Sequence, residues 1–169
     1  IFFLWQKKIL GKLLASIFIF FLVLSGIIDF FAVKNDSWIK IEDAPLNPDV
    51  SWIKINTPPN AFFLNSSYLY HPASLAGRKI FLGWPYFPWA GGYNPQLREN
   101  LRKTIYLATN NNKDYICHLL KENHLSFVTL ERKIDDFTPN LTFWQNNFVE
   151  VYKNQQSGFI IYDVQRSCL

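Results

Sequence analysis

The chain has 169 residues, with 17 basic against 13 acidic side chains for a net charge of +4, and it is 49% hydrophobic and 18% aromatic. That composition excludes a wholly disordered or fibrous polypeptide. A surplus of four charges, scattered along the sequence, is too small to mark a nucleic-acid groove, so no nucleic-acid partner is expected.

The first element is apolar. Leu13 to Val33 reads LLASIFIFFLVLSGIIDFFAV, with one charge at Asp29, and its length matches the roughly 20 residues that cross a bilayer core as a helix. A cleaved signal peptide would have an apolar run of only about 7 to 15 residues and a small-residue cleavage site, which does not follow here. Lys7, Lys8 and Lys12 precede the run, so the positive-inside rule puts residues 1–12 in the cytoplasm and everything beyond about residue 34 outside. Asp29 lies near the exit end, where a carboxylate snorkels to the headgroups. The expected division is a basic flank and transmembrane helix over residues 1–34 and an extracytoplasmic domain over residues 35–169. Because the sequence begins at Ile1 and contains no methionine, it is expected to be the C-terminal piece of a longer membrane protein.

SWIKIEDAP at 37–45 is echoed by SWIKINTPP at 51–59; two copies do not make a solenoid. The second copy is placed for a helix, since Asn47-Pro48-Asp49 offers a cap and a first-turn proline while Thr57-Pro58-Pro59 stops it. Trp52, Ile53 and Ile55 would form its buried side. AFFLNS at 61–66 reads as a buried strand. Residues 71–95, HPASLAGRKIFLGWPYFPWAGGYNP, are rich in glycine, proline and aromatics, so the expectation is a long irregular loop with one short strand near Lys79 to Leu82. Leu97, Leu101, Ile105 and Ala108 then recur at helical spacing, with Arg98 and Arg102 on another face. NNNKD at 110–114 reads as a loop and cap before a second helix carrying Ile116, Leu119 and Leu120. LSFVTLE at 125–131 reads as a strand, and NFVEVYKN and GFIIYDV flank Gln155-Gln156-Ser157 as a hairpin. Phe127, Val128, Phe148, Val149 and Ile160 join the expected core. The fold class is therefore α/β, a small mixed domain behind one membrane helix, with a long Gly/Pro/aromatic loop.

Several residues suit ligand binding. Trp84, Tyr86, Phe87, Trp89 and Tyr93 alternate with glycines, and aromatic faces of this kind stack on the C–H faces of sugars. The same rings would equally pack beneath the domain or sit in a membrane interface. Arg78 offers a planar fork for a phosphate, or a structural pairing with a carbonyl or an acidic neighbour. Arg98 and Arg102, one turn apart, form a second anion grip or a solvated face. His71, before Pro72, is a proton carrier or a structural residue. His118 and His124 lack a metal spacing, so neither metal nor cofactor is expected. Asp135 and Asp136 are adjacent and diverge, and Asp163 has no visible partner, which leaves no glycosidase pair and no catalytic residue to name. Asn35, Asn65 and Asn140 fall in glycosylation sequons. Cys117 and Cys168 make no disulfide framework or metal motif and leave the redox compartment undecided.

HPASLAGRKIFLGWPYFPWAGGYN, together with Asp29 near the end of the apolar run, Trp52 to Pro58, the Ala76-Gly77-Arg78 and Gly83-Trp84 steps, and a helix with Arg98 and Tyr106, resembles the C-terminal extracytoplasmic region of GT-C-like membrane glycosyltransferases. The resemblance implies sugar transfer from polyprenyl-phosphate donors by a multi-spanning protein. Its driving carboxylates lie in an early outer loop that this sequence does not contain. On that reading the protein helps to bind the lipid-linked sugar donor or its acceptor, through His71, Arg78, Trp84, Tyr86, Trp89, Tyr93 and Arg98. Its partners are the bilayer, the lipid-linked sugar and the remainder of the multi-spanning polypeptide. The alternative is an anchored carbohydrate- or protein-binding module, or a structural cap, without transferase activity.

Overall fold

The computed structural model describes residues 9–36, 44–108, 112–131 and 137–169. It divides into two compact units, residues 1–41 and 42–169. The first contains helix α1 (Ile9–Asp36), whose stretch Ile9–Phe31 is long and apolar enough to cross a membrane, with mean hydropathy 2.5. Most of its leucines, isoleucines and phenylalanines are exposed. Lys7, Lys8, the first SWIKIED segment, Asp135 and Asp136 lie outside the described residues, as does the side chain of Asn35.

The second unit is mixed α/β. In sequence order it contains α2 (Pro48–Asn56), β1 (Phe62–Leu64), α3 (Pro72–Leu75), β2 (Lys79–Ile80), α4 (Tyr86–Ala90), α5 (Gln96–Leu107), α6 (Lys113–Glu122), β3 (Phe127–Leu130), α7 (Leu141–Asn147), β4 (Val149–Lys153), β5 (Ile160–Asp163) and α8 (Val164–Ser167). The five strands form one sheet in the order β2-β1-β3-β5-β4. β1 pairs parallel with both β2 and β3, and the β5 and β4 hairpin joins β3 antiparallel.

Local signals explain most of these elements. The Asn47 Oδ1 accepts from the Asp49 and Val50 amides, so the Asn-Pro-Asp cap works as read. Asn112 caps α6 by accepting from the Tyr115 amide. Side chains alternate across the sheet. Phe63 and Ile161 pack with Val50 and Ile53 of α2, Ala73 of α3 and Ala76 just after it on one face. Leu64, Val128, Leu130 and Tyr162 pack with Ile105, Ile116, Leu120 and Trp144 of α5, α6 and α7 on the other. Helices cover both faces because the crossovers from β1 to β2 and from β2 to β3 step in opposite directions along the sheet. Each crossover is expected to be right-handed, which sends their helices to opposite sides.

Several expectations are corrected. Ile55 is exposed while Ile53 is buried, because residues two apart on a helix point about 200° from each other. On α5 the end residue Leu97 is exposed and Arg102 is buried, so the inner face runs through Arg102, Ile105 and Tyr106. Val149 opens β4 at the sheet edge and is exposed. The stretch 71–95 holds two short helices besides its strand, α3 and α4, each introduced by a proline. Helices α7 and α8 were not expected. Cys117 and Cys168 form a disulfide, Cα atoms 5.4 Å apart, that ties α6 to the residue after α8.

Candidate functional site

Three parallel strands fix where loops gather. The polypeptide leaves β1 at Asn65, β2 at Phe81 and β3 at Glu131, all at the same carboxyl edge of the sheet. Since β1 lies between β2 and β3, the crossovers diverge there, and the crevice outside such a switch point is where open α/β sheets receive ligands.

Asn65 sets the base of this edge. Fully buried, it donates from Nδ2 to the carbonyls of Leu82, at 2.7 Å, and Ser66, and its Oδ1 accepts from the Leu82 amide. The end of β1 is thereby locked to the root of the aromatic loop that follows β2. Two arginines of α5 hold the same roots. Arg98 donates from Nη1 to the Phe81 carbonyl at 2.9 Å and lies over the Phe81 ring, while Arg102 donates to the Asn65 carbonyl at 3.5 Å. A carbonyl at a strand end needs a donor once the ladder stops, and a guanidinium supplies it at longer reach than a neighbouring amide.

His71 belongs to the same edge. It caps α3, with Nδ1 accepting from the Ala73 amide at 3.1 Å. That assigns the ring proton to Nε2, which donates to the Thr129 hydroxyl at 3.1 Å, and Thr129 donates in turn to the Leu64 carbonyl. The imidazole is fully buried, which pushes its pKa down to about 3. Glu131 stands 3.7 Å from Nε2 and accepts from the Ser66 hydroxyl at 3.1 Å.

Arg78 sits at the other end of the α3–β2 turn. It donates from Nε to the Thr57 hydroxyl, from Nη1 to the Ala76 carbonyl, and from Nη2 to the carbonyls of Lys54 and Thr57, both at 2.9 Å. Lys54 and Thr57 end α2, where carbonyls lack helical partners, so the guanidinium caps the carboxyl end of that helix.

The loop itself builds a pocket. Ser67, Trp84, Pro85, Tyr86, Trp89 and Pro95 line an open, largely apolar hollow of about 420 Å³. The short helix α4 places Tyr86 and Trp89 on one side, their ring centroids 5.4 Å apart. Gly92, with φ of 82°, turns the backbone back beneath them, and the Tyr93 amide donates to the Pro88 carbonyl. Trp84 and Trp89 are 46% and 63% exposed, so these rings do not pack beneath the domain.

The seven residues singled out by the sequence thus separate. Trp84, Tyr86 and Trp89 come together in the pocket; Tyr93 is exposed on the same loop outside its lining; Arg98 hydrogen-bonds to Phe81 at the root of that loop, whereas His71 caps α3 and Arg78 caps the end of α2, neither among the lining residues. Asn65, Ser67, Thr129 and Glu131 escape the sequence reading as site residues, because a polar residue within or just after a short strand carries no such signal until the strand order is known.

Compared with known proteins, the sequence matches no family model and no curated protein.

Proposed function

We propose that the protein includes a membrane helix and an extracytoplasmic domain of a GT-C-like membrane glycosyltransferase, and that its aromatic pocket receives the sugar portion of a lipid-linked donor or of its acceptor. The observation that carries this reading is the pocket at the carboxyl edge, where three solvent-facing rings meet beside a serine hydroxyl. Ring faces attract the C–H face of a pyranose and shed water from it. Helix α1 supports attachment to a membrane. The Cys117–Cys168 disulfide supports a location outside the cytoplasm, because reducing compartments keep such pairs open.

The binding role stands independently of transfer. No carboxylate, imidazole or thiol is among the lining residues, which favours an anchored carbohydrate-binding module as the second reading. The test is saturation-transfer NMR with a soluble short prenyl-phosphate hexose on the detergent-solubilised protein. Transfer concentrated on the axial C–H protons of one sugar face supports the pocket. Transfer confined to the prenyl tail contradicts it.

A further inference from the structure

The pocket leaves part of its own loop unexplained. Phe87 and Tyr93 are 61% and 74% exposed, and Leu97, at the start of the next helix, is 77% exposed, yet none of the three lines the hollow. Tyr68 and Leu69, on the loop after β1, are exposed as well. Large apolar side chains gathered on adjoining loops mark a surface that meets something other than water.

We infer that this rim is a bilayer-docking surface, with Phe87, Tyr93 and Leu97 entering the headgroup layer of an anionic membrane. The inference rests on the reading of Ile9–Phe31 as a membrane span and does not require the sugar reading of the pocket. Charge selects the occupant. From Val50 to Arg98 the sequence holds four basic residues and no carboxylate, although it has 13 acidic residues in all. The loop itself thus presents no carboxylate to an anionic surface, Glu99 following it on α5 and Glu131 standing at the same sheet edge. Residue type points the same way, since tyrosine and tryptophan with phenylalanine and leucine are the side chains that partition at the water–lipid boundary. Linker length keeps that surface at hand. Eleven residues join Asp36 to Pro48, at most about 40 Å when fully extended, and a bilayer holding the helix is presented to the domain as an intramolecular partner. Docked in this way, the loop opens its pocket at the depth where a lipid-linked sugar leaves the membrane.

The experiment uses the full-length protein reconstituted in vesicles of phosphatidylcholine, with and without phosphatidylglycerol. An environment-sensitive fluorophore is attached through Tyr93→Cys, and in a second protein through Gln156→Cys in the exposed β4–β5 turn. Carbonate washing comes first, and a protein that washes out removes both the membrane reading and the docking surface. With the protein retained, nitroxide lipids labelled just below the headgroup should quench position 93 several-fold more than position 156, more strongly with phosphatidylglycerol. Phe87→Glu with Leu97→Glu should return position 93 to water. Two results would overturn the docking surface while leaving the span intact. One is iodide quenching at position 93 equal to that at 156. The other is shielding from both iodide and lipid nitroxide, which means that a second copy or another protein covers the rim.

Discussion

A histidine buried with both ring nitrogens engaged must stay neutral, and this gives His71 a measurable signature. Its folded pKa of about 3 lies below the ordinary 6.5, so between those values the unfolded state binds a proton that the folded one refuses. Stability is full above about pH 6.5 and falls as the pH drops toward 3, by up to about 1.4 kcal/mol per pH unit from this group. Urea unfolding at pH 7 and at pH 5 should show that loss. His71→Asn, which keeps an acceptor for the Ala73 amide, should flatten it. Arg78 gives a second test. Arg78→Ala leaves the carbonyls at the end of α2 without their donor and should cost about 1–3 kcal/mol in thermal unfolding. Unchanged stability would release Arg78 from its capping role and return it to ligand binding.

At the scale of elements, the signals that worked were local. Asn47-Pro48 and Thr57-Pro58 bounded α2 correctly because caps and prolines act within one turn. The reading of β5 as a strand survived because its apolar residues are covered on both faces of the sheet. Position-by-position failures came from tertiary context. Leu97 looked like the start of an apolar face, but the α5 helix begins beside the pocket loop, where no core covers it, and the carbonyl of Asn65 draws Arg102 inward instead. Cys117 and Cys168 lie 51 residues apart, a distance that carries no pairing signal until α6 and α8 are packed together. The disulfide closes a long loop, so Cys117→Ser should lower stability by about 2–4 kcal/mol, and reduction of the intact protein should do the same. Equal melting of oxidised and reduced protein would show that packing of α8 against α6 suffices without the bond.

For the whole molecule, the α/β class and the apolar helix were legible in composition and periodicity, whereas the site needed the strand order. Only with β1 placed between β2 and β3 do Asn65, the aromatic loop and Glu131 fall at one edge. The topology has its own test. In intact cells, an impermeant thiol label should reach Gln156→Cys in the exposed β4–β5 turn, and labelling only after lysis would place the domain in the cytoplasm. The proposed function turns on whether the exposed rings of the pocket hold a sugar. Trp89 is the ring to remove, because its exposure means that truncation leaves the core intact. The deciding quantity is the Kd of a short prenyl-phosphate hexose for the purified protein and for Trp89→Ala, with melting temperature recorded for both. Stacking on Trp89 predicts a loss of about 1–3 kcal/mol, roughly 5- to 150-fold in Kd, by analogy with other aromatic stacking platforms, at unchanged melting temperature. An identical Kd in the two proteins would contradict it.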